Sequence, residues 1–79
     1  MDSKHDHIAT AFGRVLREQR EVRGISQENL ALSADVDRSF VRQMERGIRQ
    51  PTLTTLVKLC EALGVAPSTL IGRMERLLN

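Results

Sequence analysis

Two stretches of helical periodicity, residues 26–34 and 37–46, lie only about three residues apart, and this spacing constrains the fold more than any other feature. So short a link does not suit an antiparallel hairpin packed along its length, but it does suit two helices that cross steeply. Such a crossing makes three steric demands. One helix needs a small residue at the close approach, and Ala31 stands there. The turn needs a residue that tolerates positive φ, and Asp35, among the better non-glycine choices, stands there. The following helix needs a branched apolar residue locked against the first, and Val41 stands there. Leu30, Ala34, Val36 and Met44 fill the remaining inward positions. Ser26 and Asp37 are suitable N-caps for the two helices. Ala31, Asp35 and Val41 at these offsets predict a helix-turn-helix.

The rest of the chain repeats the helical period. Residues 1–7 are polar and aperiodic and read as a frayed, flexible tail ahead of a single domain over 8–79. Ile8, Phe12, Val15, Leu16 and Val22 outline a first helix that stops at Gly24. The third helix stops at Gly47, and Ile48 to Pro51 form a loop. Thr52 caps a fourth helix bearing Leu53, Leu56, Val57, Leu59, Cys60 and Leu63, which ends at Gly64. Pro67 opens a fifth over about residues 67–78. No window alternates with period two, so no strand is expected and the chain reads as all-α.

Composition removes several function classes. Seventy-nine residues make one domain with a thin core. The aromatics are Phe12 and Phe40 alone, which argues against carbohydrate binding and base-stacking platforms. A single cysteine, Cys60, excludes a disulfide scaffold and a cysteine zinc site, and its place between Leu59 and Leu63 marks it as a buried thiol. His5, Asp6 and His7 lack a further ligand and read as part of the tail; no metal or other cofactor is expected. No nucleophile–base pair or phosphate-cradling glycine loop is present, so no enzyme is expected. Neither a membrane-length apolar run nor a signal peptide is seen, which places the protein in the cytoplasm. The net charge is only +2, but ten of the twelve basic residues are arginine, whose planar fork suits phosphates and guanine edges.

The run Gly24-Ile25-Ser26-Gln27-Glu28-Asn29-Leu30-Ala31, followed by Val36-Asp37-Arg38-Ser39-Phe40-Val41-Arg42-Gln43-Met44-Glu45-Arg46-Gly47, resembles the Cro/repressor-type (XRE) helix-turn-helix family. Phe12 to Arg17, Pro51 to Leu56 and Ala62 to Val65 extend the likeness over roughly residues 8–72. The resemblance implies a compact five-helix domain like that of lambda repressor. Short members include phage repressors and the controller proteins of restriction–modification systems, and Val36 to Val41 are similar to the latter. Three positions depart from the pattern. Asp35 replaces the usual turn glycine. Gln19 stands where an apolar residue is common. Ala66 replaces a capping serine, which should weaken the last helix by ~1 kcal/mol.

In this arrangement the third helix enters the major groove with its N-terminal residues at base edges. Its outward residues are Arg38, Ser39, Arg42 and Gln43. Arg38 suits guanine, Gln43 suits adenine, Ser39 is permissive, and Arg42 reaches a base or a phosphate. Gln27, at the start of the second helix, suits a phosphate. Arg46 and Arg49, flanking Gly47, are further phosphate candidates, with Arg17 and Arg14 weaker ones. About four phosphates per subunit would give a dimer a log–log salt slope of about −7. The resemblance also implies a structural ion pair between Arg20 and Glu45.

The last helix is apolar all round, and one face suffices for a core. Leu70 is expected inside, with Ile71, Met74, Leu77 and Leu78 in a two-fold contact. Two-fold symmetry would set the reading helices ~34 Å apart and require a palindromic operator. The expected function is a homodimeric, sequence-specific regulator that binds double-stranded DNA and occludes a promoter or recruits RNA polymerase. The alternatives are a restriction–modification controller within that class, and an antitoxin-like protein-interaction module outside it.

Overall fold

A computed structural model describes the backbone of residues 3–79 and the side chains of residues 7–79. Five helices follow in order: α1 Ser3–Val22, α2 Gln27–Ala34, α3 Arg38–Glu45, α4 Leu53–Leu63 and α5 Pro67–Leu78. No strand occurs among the described residues. The first helix begins at Ser3, not at Ile8, so residues 3–7 are helical backbone and the expected tail is shorter. Periodicity missed this turn because it carries no apolar residue to mark a buried face. The side chains of His5 and Asp6 lie outside the described residues. No single described helix is long and apolar enough to cross a membrane.

The caps follow the sequence closely. Ser26 accepts a hydrogen bond from the backbone N–H of Asn29 at 3.0 Å, and Thr52 accepts from that of Thr55 at 3.1 Å. Asp37 accepts a longer one from Ser39 at 3.4 Å. Ala66 supplies no side-chain bond, but Pro67 follows at the first helical position. Proline brings no N–H to satisfy and a helical φ, which offsets part of the missing cap. Asp35 closes α2 in the left-handed region at φ 57°. The Val36 N–H then bonds the Ala31 carbonyl at 3.0 Å, so the turn is pinned to the helix it leaves.

The core runs through all five helices. Phe12, Val15 and Leu16 of α1 share one buried cluster with Leu30, Ala31 and Ala34 of α2 and Val41 and Met44 of α3. Leu56, Leu59, Cys60 and Leu63 of α4 close one side, with Leu70 and Met74 of α5. Helix α1 packs on α3 and α5, and α2 packs on α3 and α4. Burial raises the Cys60 thiol pKa, so it stays protonated and apolar in character. The helical series of α1 and α4 overcounted the interior: Val22 is 78% and Leu53 80% exposed, at a helix C-terminus and a first turn that overhang the core. Gln19 is buried, and its side-chain oxygen accepts from Arg23 Nη1 at 2.8 Å. An amide with a partner thus occupies an interior position where the family pattern commonly has an apolar residue.

One contact was invisible to periodicity. Gly13 lies where α1 crosses the end of α3. A Cβ there would overlap the Met44 carbonyl oxygen and sit 2.9 Å from that of Glu45. These are backbone atoms, so the clash cannot be relieved by a rotamer change. Gly13→Ala should therefore destabilise the fold by about 1–3 kcal/mol, although alanine favours helix elsewhere. Urea denaturation measures this, and a neutral or stabilised variant would contradict the close crossing.

Candidate nucleic-acid interface

The third helix has two chemically opposed sides. Val41 and Met44 are wholly buried, and Phe40 rests half-buried against the core. The other side carries Arg38 and Arg42, one turn apart and both exposed, with Ser39 and Gln43 half-buried beside them. Arg46 follows at the C-cap, and Arg49 lies in the loop beyond; both are exposed. Among the described residues, none of these four arginines is in an ion pair. The structure therefore brings the expected base-reading residues onto one side of α3. Arg17 lies on a different helix and pairs with Glu21 at 3.2 Å on the solvent side of α1. Arg14 likewise sits 3.7 Å from Glu18. Exposed i,i+4 pairs of this kind contribute only ~0.3–0.5 kcal/mol and are readily exchanged for another anion.

Helix α3 is held in place from its far end. Arg20 on α1 donates through Nε to Glu45 Oε2 at 2.6 Å and through Nη2 to Oε1 at 2.9 Å. Its Nη1 donates to the Ile25 carbonyl at 2.9 Å. The side chains are 12% and 3% exposed, so both charges are largely removed from water. The hydrogen bond to Glu45 raises the Arg20 pKa, outweighing desolvation, and the charges of Glu45 and Glu21 add to the rise. The expected ion pair is thus present and bidentate.

Sequence reasoning missed a third member of this cluster. Gln27 Nε2 donates to Glu45 Oε1 at 3.0 Å. One amide N–H is committed to the carboxylate, and the amide has a second N–H to offer. Gln27 is also the first residue of α2, where the helix's leading N–H groups have no intrahelical partner. No short-range pattern announces the contact, because Gln27 and Glu45 belong to different helices.

Helix α5 divides differently from expectation. Met74 is buried with Leu70 and belongs to the chain's own core, so it is not available to a two-fold contact. The two residues lie one turn apart on the same face, which packs inward. Ile71, Leu77 and Leu78 remain 44%, 41% and 38% exposed.

Comparison with known proteins agrees with this geometry. The family described as helix-turn-helix matches residues 16–70. Control protein C.BamHI of Bacillus amyloliquefaciens is 36% identical over 67 residues, covering 84% of this chain and 83% of that protein. The crystal structure of the restriction–modification controller C.AhdI of Aeromonas hydrophila is 44% identical with a TM-score of 0.77, covering 78% of this chain and 94% of that one. The controller C.Esp1396I, solved as a tetramer on its natural 35 base-pair operator, shares the fold at a TM-score of 0.82 and 22% identity, covering 90% and 93%.

Proposed function

The chain belongs to the helix-turn-helix family, and on that premise we propose that it is a sequence-specific regulator of transcription that binds double-stranded DNA as a homodimer at a palindromic operator. The observation that carries this reading is the exposed face of α3, where Arg38 and Arg42 project side by side from a helix otherwise locked into the core. A cylinder ~10–12 Å across fits the major groove, and an arginine on its outer face meets guanine O6 and N7 with two parallel donors. Arg38 is the guanine reader, with Ser39, Arg42 and Gln43 completing the base-facing set. Gln27, Arg46 and Arg49 hold phosphates on either side, and Arg17 reaches the backbone only by releasing Glu21.

Ile71, Leu77 and Leu78 form the two-fold contact. Exposed leucines and an isoleucine on one terminal helix are apolar surface that a second copy would remove from water, at ~25 cal/mol per Å². Controller proteins are the relatives that favour a finer reading, in which the dimer governs a restriction–modification operon in the cytoplasm and RNA polymerase is the second macromolecule it meets there. Nothing about the site calls for the protein-interaction alternative.

Two sets of variants test this reading. Arg38→Ala should cost about 1–3 kcal/mol on the preferred sequence and relax preference at one position per half-site. Arg46→Ala should weaken cognate and random DNA alike and lower the salt slope by about one per subunit. Fluorescence titrations on DNA selected from a random pool measure both, and equal losses on all DNA for both variants would contradict the division of roles. Leu77→Glu should give monomers in sedimentation equilibrium; an unchanged dimer would remove α5 from the contact.

A further inference from the structure

The Arg49 guanidinium carbon lies 5.4 Å from the centroid of the Phe40 ring. Two features fix the partners of this stack. Phe40 sits in the first turn of α3 and packs its inner side against the core, so its ring does not swing with the solvent. The loop that carries Arg49 is tied back to α3. The Gly47 N–H bonds the Met44 carbonyl at 3.0 Å, and the Ile48 N–H bonds the Gln43 carbonyl at 2.9 Å. Gly47 takes φ +74°, and its missing Cβ leaves room for Thr10 Cα, which would stand 3.2 Å from it. The loop backbone is thereby pressed against α1, and Arg49 leaves it pointing back along the reading helix to Phe40.

A guanidinium stacked on a ring uses its face for the contact and keeps its N–H donors free around its edge. An arginine left in solvent would have to surrender side-chain entropy on meeting a phosphate. The stack removes part of that cost beforehand. From this geometry we infer that Phe40 is a positioning residue: its ring holds the Arg49 guanidinium beside α3, ready for a DNA phosphate next to the groove that α3 occupies. The inference rests on the DNA-binding function proposed above and extends it to a residue half-buried against the core. It also gives a role to an aromatic on a helix whose buried residues are Val41 and Met44.

A double-mutant cycle tests it. Arg49→Ala removes the donor, Phe40→Leu removes the ring face but keeps apolar volume, and Phe40→Tyr keeps the face. Arg49→Ala should weaken binding to any duplex and reduce the salt slope by about one per subunit. Phe40→Leu should weaken binding about 2- to 5-fold per subunit, the equivalent of ~0.5–1 kcal/mol for an exposed cation–π contact. Phe40→Tyr should bind as the parent does. In the Arg49→Ala background, Phe40→Leu should cost nothing more. Circular-dichroism melts run alongside confirm that each variant is folded at the titration temperature; if Phe40→Leu is not, Phe40→Met replaces it in the cycle. Additive losses, or a full Phe40→Leu effect without Arg49, overturn the inference while leaving the DNA-binding reading intact. A parent chain that binds no duplex overturns both.

Discussion

The arrangement of the whole domain depends on the ion pair between Arg20 and Glu45. Three of the five helices meet at this carboxylate: α1 supplies Arg20, α3 supplies Glu45, and α2 supplies Gln27. Burying two charges costs several kcal/mol of hydration per ion, and the mutual attraction returns about that much when geometry is good. The net stabilisation is therefore small. Its value is orientation. A hydrophobic contact would hold α3 against α1 over a range of rotations, whereas two parallel N–H···O bonds allow one. Removing either partner would strand a charge in the interior, which costs far more than the pair contributes. The third donor of Arg20 goes to the Ile25 carbonyl, so the connection between α1 and α2 is fixed by the same guanidinium.

Polar anchoring at the end of α3 leaves Arg38 and Arg42 exposed on its outer side. Val41 and Met44 fasten one side, and the close crossing at Gly13 brings α1 against the helix end. What remains outward is basic and in no ion pair among the described residues, while Arg14 and Arg17 of α1 are matched to glutamates one turn away. A net charge of +2 understates this division, because Glu18, Glu21 and Glu45 pair with arginines of α1 while the exposed arginines of α3 are in none of the described ion pairs. Local charge density, not the total, draws a polyanion to one surface.

Much of the fold was legible because short helices advertise their ends and inner faces locally. Ser26 and Thr52 cap as expected, Asp35 takes the left-handed turn, and Ala31 and Val41 are buried at the crossing. What stayed hidden involves partners far apart in sequence. Gln27 to Glu45 and Arg49 to Phe40 join different elements, and a periodicity carries no information about which neighbour a polar tip will find. Met74 shows a related limit: an apolar helix has a pattern that permits either face to turn inward, and only the packing on α1 and α4 chooses. The helical start at Ser3 was hidden because a polar turn has no inner face to read. The outward residues of α3 were the most legible part of the site, since excluding the buried stripe leaves them as the remainder.

The central claim is that α3, held by Arg20 and Glu45, lies in the major groove. Dimethyl sulphate footprinting on a duplex selected by the protein tests it most directly, because the reagent methylates guanine N7 in the major groove and adenine N3 in the minor groove. Seating of α3 as described protects guanine N7 in two clusters about one helical turn apart. Guanine N7 left reactive throughout, with protection confined to adenine N3, would contradict it.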